Sequence, residues 1–137
     1  MSPSASDCQP LPLPVPEQLW DRIREEFTLP TLEQVRDRLA ALHEDPEPLM
    51  RQLTRVFVDD QTYCPGFQFS PVLSLSPVVV RVFERAMQLR IPHNCFALWM
   101  MVRSPALQGR RPVDLKDSVD PGPLLEALDR VCADVAA

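Results

Sequence analysis

The residues best equipped for chemistry are two consecutive arginines, Arg110 and Arg111, with Asp114 close behind them. They follow Gly109, one of only 3 glycines in 137 residues, and they precede Pro112. Gly109 can take a left-handed conformation without steric cost. Pro112 suits the first turn of a helix, where its missing N–H is not needed. The stretch from Leu107 to Leu115 is therefore expected to be a tight helix–loop–helix corner that presents two guanidinium groups. A planar guanidinium satisfies a carboxylate or phosphate with two parallel hydrogen bonds, which makes arginine common at binding hot spots. The same geometry lets Arg110 or Arg111 pair with Asp114 or Asp117 and brace the loop, a contact worth little when exposed. Spacing alone leaves both open, an anchor for a partner and a brace for the corner.

Other reactive residues offer less. His93 and Cys95 invite comparison with a nucleophile–base pair, but two residues apart on a helix they point in different directions. His43 sits at an expected helix end, where the helix dipole accounts for it. Cys8, Cys64, Cys95 and Cys132 are scattered without a paired spacing, so no zinc site is expected. Glycines only at 66, 109 and 122 leave no phosphate-cradling loop. The expectation is a protein that is not an enzyme and needs no metal or cofactor.

The elements that must position the corner are helical. Leu19, Trp20, Ile23 and Phe27 repeat at three-to-four spacing until Pro30 stops the run. Thr31 with Gln34 forms a capping-box signature, and Leu32, Val35, Leu39 and Leu42 line the helix that follows. A third helix from Pro46 or Glu47 is expected to carry Leu49, Met50, Leu53, Val56 and Phe57 as its stripe. Asp59 to Gly66 reads as a loop, and Phe67-Gln68-Phe69 as a strand or extended segment. Ser76 and Pro77 open a helix with Val78, Val79, Val82, Phe83, Ala86 and Met87 on its buried face. After Pro92 comes a run that is apolar on all sides, Phe96 to Val102, expected at the centre of the core or of an interface. Asp120 and Pro121 start a last helix lined by Leu124, Leu125, Leu128, Val131, Cys132 and Val135. The fold class is all-α, about six helices with at most a short hairpin or extended segment near 63–75.

Three regions are expected: a Pro-rich disordered leader over 1–16, a helical N-terminal region over 17–60, and a helical domain over 61–137. The leader ends in alternating prolines, which favour an extended helix without internal hydrogen bonds. With 45% hydrophobic and 24% charged residues the composition is that of a globular domain. A net charge of −5 argues against general binding of nucleic acid or anionic membrane. The charge is uneven, however: residues 76–111 hold six arginines against Glu84 alone. No apolar run is long enough for a bilayer span and no signal peptide is evident, so a cytoplasmic protein without membrane contact is expected.

Ser104-Pro105-Ala106-Leu107-Gln108-Gly109-Arg110-Arg111-Pro112-Val113-Asp114-Leu115, preceded by Trp99 and followed by a leucine-rich helix, resembles the toxin-binding domain of Xre/MbcA/ParS-type bacterial antitoxins. The family's run is approximately N-P-x-L-G-G-R-x-P-x-D-L-L. Gly66-Phe67-Gln68-Phe69 resembles a P-A-F-Q-F segment ahead of that domain in some relatives, so the likeness covers about residues 64–137. It implies a small, mostly helical antitoxin that binds a RES-domain toxin, an NAD-consuming enzyme, and blocks its active site. Carried over by position, the partner-binding residues are Trp99, Leu107, Gly109, Arg110, Arg111, Pro112, Asp114 and Leu115. Trp99, Leu107 and Leu115 suit the domain core equally well. The chain departs from the family run at Ser104, Gln108 and Lys116. It also lacks the glycine-containing turn of a helix-turn-helix, since residues 28–30 and 44–48 are proline-bearing or acidic. A homo-oligomer is expected beside the toxin partner. Two alternatives stay open, a DNA-binding regulator and a structural oligomerisation domain.

Overall fold

The helix starts near Thr31, Asp45, Ser76 and Asp120 fall where a side chain satisfies one of the first unpaired N–H groups. The computed structural model describes residues 15–69, 75–118 and 120–131. In chain order its elements are α1 (Gln18–Glu26), α2 (Leu32–Leu42), α3 (Glu47–Met50), β1 (Val56–Val58), β2 (Gln61–Tyr63), α4 (Pro77–Gln88), α5 (His93–Met101) and α6 (Gly122–Asp129). One-turn 3-10 helices form at Gly66–Gln68, Pro105–Leu107 and Pro112–Leu115. The Thr31 hydroxyl accepts from Gln34 N–H (3.2 Å) while Gln34 Oε1 accepts from Thr31 N–H (2.9 Å), a complete capping box for α2. Ser76 Oγ accepts from Val79 N–H and Pro77 is the first residue of α4. Asp120 Oδ1 accepts from Gly122 N–H (2.9 Å), and α6 begins at Gly122, one residue later than expected, because Pro121 takes the cap position. Cys132, Val135 and most of the Pro-rich leader lie outside the described residues. Within the leader, Val15 packs against the main core.

The third helix is much shorter than its apolar stripe suggests. It ends at Met50, and Val56–Val58 pairs antiparallel with Gln61–Tyr63 in the register Val56 to Tyr63, Phe57 to Thr62 and Val58 to Gln61. Two β-branched valines flanking Phe57 favour an extended strand. The turn itself is Asp59-Asp60, both left-handed at φ 50° and 67°, which is the backbone that a two-residue hairpin loop demands. Aspartate tolerates it better than most side chains. The fold is therefore mostly helical with a two-stranded hairpin, not all-α. The hairpin also lies at 56–63, ahead of the expected extended segment. There, Gly66–Gln68 is a 3-10 turn, and Phe69 forms an isolated antiparallel bridge with Leu75.

Helix α5 is the centre of the core. Cys95 through Met101 are all buried, so the run without a polar face is explained by neighbours on every side. Leu19, Trp20 and Ile23 from α1, Val79 and Val82 from α4, and Leu124 and Leu128 from α6 belong to the same cluster. Phe96 meets Phe83 edge-on at 5.5 Å and stacks on Trp99 at 6.0 Å between ring centroids. A second, smaller cluster joins Val35 and Leu39 of α2 to Met50, Leu53, Cys64 and Leu75. Helix α1 thus shares its core with the C-terminal helices, and the 60/61 boundary falls inside the hairpin turn. Among the described residues no helix is long and apolar enough to cross a membrane.

Candidate functional site

The corner is a closed loop. Ser104 N–H donates to the Arg110 carbonyl (3.0 Å), and the Ser104 carbonyl accepts from Leu107 N–H (3.0 Å) and Gly109 N–H (2.9 Å). Gln108 and Gly109 are both left-handed, with φ 60° and 82°. Gln108 takes this backbone with a side chain in place. A Cβ at Gly109 would meet nothing within 4 Å, so only its torsion angle favours glycine there. Below the loop, Leu107 (3% exposed), Pro112 and Val113 are buried, and α5 packs against the Pro112–Leu115 turn. Trp99, within α5, is 2% exposed; Leu115 is partly buried against the same core. Lys116 lays its chain so that its ammonium sits 6.0 Å from the Phe27 ring centroid.

The two arginines differ in what they contact. Arg111 donates to both Glu26 oxygens, Nη1 to Oε2 at 2.9 Å and Nη2 to Oε1 at 2.8 Å. It also donates to both oxygens of Asp114, Nε to Oδ2 at 3.1 Å and Nη2 to Oδ1 at 2.9 Å. These bonds join the C-terminal end of α1 to a loop 85 residues away. They hold the Glu26 and Asp114 carboxyls below their ordinary pKa and push the Arg111 guanidinium up. Because a depressed carboxyl favours the folded state only while ionised, that stabilisation is present at neutral pH and lost as pH falls through the carboxylate range. Arg111 braces the corner. Arg110 is exposed, and among the described residues its side chain makes one hydrogen bond, from Nε to the Leu107 carbonyl (3.2 Å). Among the described residues it has no ion-pair partner, and neither of its Nη groups makes a hydrogen bond.

A polar cluster that sequence reasoning did not find holds the segment 54–57. Gln68 Oε1 accepts from Thr54 N–H (2.8 Å), and its Nε2 donates to the Thr54 and Pro65 carbonyls (3.0 Å each). His93 Nδ1 accepts from Arg55 N–H (2.9 Å). Asn94 spans Phe57, accepting its N–H at 2.9 Å and donating to its carbonyl at 3.0 Å. The free edge of β1 is thereby paired with side chains from the start of α5, while β2 is covered by a Thr31–Tyr63 bridge and by Cys64 N–H on the Pro30 carbonyl (2.8 Å). The only signal in the sequence is that Gln68, His93 and Asn94 are polar residues among apolar neighbours, a pattern that surface residues share.

His93 is a structural acceptor. Its pKa is lowered by burial and by the nearby Arg55 charge, and its ring lies edge-on to Phe83 at 5.0 Å. The Cys95 thiol is buried and pushed above its ordinary pKa, so neither residue is poised for nucleophilic chemistry. A lowered histidine pKa means that the unfolded chain binds the proton more tightly, so stability falls as pH drops below about 6.5. His93→Asn, which keeps an acceptor near Nδ1 but cannot titrate, is expected to flatten the dependence of unfolding free energy on pH between about 6.5 and 5. Urea melts across that range measure it, and an unchanged slope would assign the acid sensitivity to other groups.

Among the described residues no group of three or more histidine, cysteine or acidic side chains is arranged to hold a metal ion. Comparison of the chain with protein-family models, with curated proteins and with solved structures finds no match.

Proposed function

We propose that this chain is an antitoxin-like protein that binds a RES-domain, NAD-consuming toxin and neutralises it by covering its active site. The contact surface is the Ser104–Leu115 corner. One observation carries the proposal: Arg110 has no ion-pair partner among the described residues and stands, exposed, on a loop whose backbone is closed on itself and braced by Arg111. A preorganised arginine loses little freedom on binding, which is the condition for a strong contact. The resemblance of residues 104–115 to the antitoxin run supports the choice of partner. Gly109 and Asp114 lie on the reachable side of the loop, whereas Trp99, Leu107 and Pro112 shape it from beneath. A DNA-binding regulator has less support, because a one-turn α3 and a hairpin stand where a third helix would be needed.

Separate substitutions of the two arginines test this. Tagged protein is co-expressed with a RES-domain toxin encoded beside it, and toxin recovery and cell survival are scored. Arg110→Ala is expected to weaken toxin binding by about tenfold or more while leaving the melting temperature unchanged. Arg111→Ala is expected to lower stability by about 1–2 kcal/mol, since it breaks partly shielded, charge-assisted bonds. Failure of the wild-type chain to recover or restrain such a toxin would overturn the proposal. Equal binding by Arg110→Ala would move the contact off the corner.

A further inference from the structure

Phe57 is 63% exposed, the most exposed large apolar side chain among the described residues. It stands in the middle of β1, with Val56 buried on the other face, and pairs across the hairpin with Thr62. Its backbone is fixed on the opposite edge by the two Asn94 hydrogen bonds, so the ring rises from a rigid base. Beside it lies an open, largely polar cleft of about 350 Å³ between the hairpin and α1, lined by Phe57, Asp59, Glu17, Asp21 and Arg24 among others. Arg24 is committed: it pairs with Asp21 at 3.2 Å and lies 5.8 Å from the Tyr63 ring centroid. Glu17 and Asp59, on the two walls, have no ion-pair partner among the described residues. The cleft therefore offers an aromatic face between two uncompensated carboxylates, at the end of α1 away from Glu26.

We infer that the Phe57 face of the hairpin docks a basic segment of a protein partner, with an arginine or lysine side chain laid on the Phe57 ring between Glu17 and Asp59. Charge complementarity selects this occupant. The acidic walls disfavour an acidic or phosphorylated ligand, and the exposed ring supplies what a purely electrostatic contact lacks. A cation over an aromatic face gains about 0.5–1 kcal/mol at an exposed site and more once desolvated. Two carboxylates at the rim add attraction and speed association, both reduced by salt. Nothing in this assignment depends on the corner or on the toxin proposal, because it uses different residues on different elements.

The probe is the peptide acetyl-Gly-Arg-Gly-Arg-Gly-Arg-Gly-amide, titrated into the isotopically labelled full chain at low salt and followed by amide chemical shifts. A control peptide carries the uncharged isostere citrulline at each arginine. Shifts are expected for Phe57, Thr62, Asp59 and the first turn of α1, with none for the control peptide. Phe57→Ala is expected to weaken binding about fivefold, as is the pair Glu17→Gln with Asp59→Asn. A side chain this exposed can be removed without loss of fold, which a melting curve of Phe57→Ala checks directly. Equal binding by Phe57→Ala, or shifts scattered over the whole acidic surface, would overturn the inference. So would a concentration-dependent dimer in sedimentation that Phe57→Ala abolishes, since the face would then belong to a second copy of the chain.

Discussion

Gly66→Ala is expected to destabilise the protein by about 3 kcal/mol or more, which for a domain of this size lowers the melting temperature by roughly 10 °C. The reason is distance, not torsion. Gly66 N–H donates to the Thr28 carbonyl at 2.8 Å, drawing the two backbones together. A Cβ at residue 66 would stand 2.7 Å from Thr28 N and 2.9 Å from Thr28 O, and would collide with Thr28 Oγ1. The hydroxyl could turn away, but the backbone atoms cannot move without shifting the α1–α2 linker. That linker is held by buried Leu29, by the edge-on Phe27–Phe67 pair at 6.1 Å, and by the neighbouring Cys64–Pro30 bond. Gly109→Ala makes the instructive contrast. Its Cβ has open space, so only the left-handed torsion opposes it, at about 1 kcal/mol. Chemical denaturation of the two variants checks the ranking. A Gly66→Ala protein within 1 kcal/mol of wild type would mean that the 28–66 approach is looser than it stands here.

The same contrast explains what could and could not be seen in the sequence. Caps act within four residues, so Thr31 with Gln34 and Ser76 with Pro77 announce their helices without help from the rest of the chain. The apolar run of α5 announces burial for the same local reason. The hairpin escapes because Leu53, Val56 and Phe57 also fit a helical stripe continuing from Met50. What decides for strand is remote: the backbone of 54–57 finds its partners in Gln68, His93 and Asn94, 14 to 38 residues on. The corner's turn was legible from glycine and proline, but single 3-10 turns stand where helices were expected on either side, and which arginine is the brace was not legible. Arg111 is a brace because Glu26 lies opposite, and no spacing rule connects residues 85 apart. The uncommitted charge at Arg110 and the uncovered ring at Phe57 emerge only once every nearer partner has been placed.

Gln68→Leu should be the other severe substitution, and Gln68→Glu the more revealing one. Gln68 is 1% exposed and satisfies three backbone groups, Thr54 N–H, Thr54 C=O and Pro65 C=O. Leucine matches its bulk but pairs with none of them; Thr54 N–H and C=O are stranded, while the Pro65 carbonyl keeps the backbone N–H of residue 68 (3.4 Å), and at about 1–3 kcal/mol for each stranded buried group a total of about 2–6 kcal/mol is expected. Glutamate keeps the shape with one amide donor lost. Ionised, it would face the Thr54 and Pro65 carbonyls with lone pairs only, in a site closed to water. Protonated, it can still accept from Thr54 N–H and donate one bond. Its pKa in the folded protein would thus be raised, and a raised carboxyl contributes stability below its unfolded pKa that is lost as pH climbs through the folded one. Gln68→Glu should therefore gain stability relative to wild type as pH falls from 7 toward 4. Wild type itself moves the other way, as His93 is forced to take a proton and the carboxylates on Arg111 begin to lose their charge. Paired urea melts at pH 7 and pH 4.5 measure the difference. A smaller deficit relative to wild type at pH 4.5 than at pH 7 would locate the essential contact at the amide of Gln68, whereas an equal deficit at both would mean that its packing alone matters.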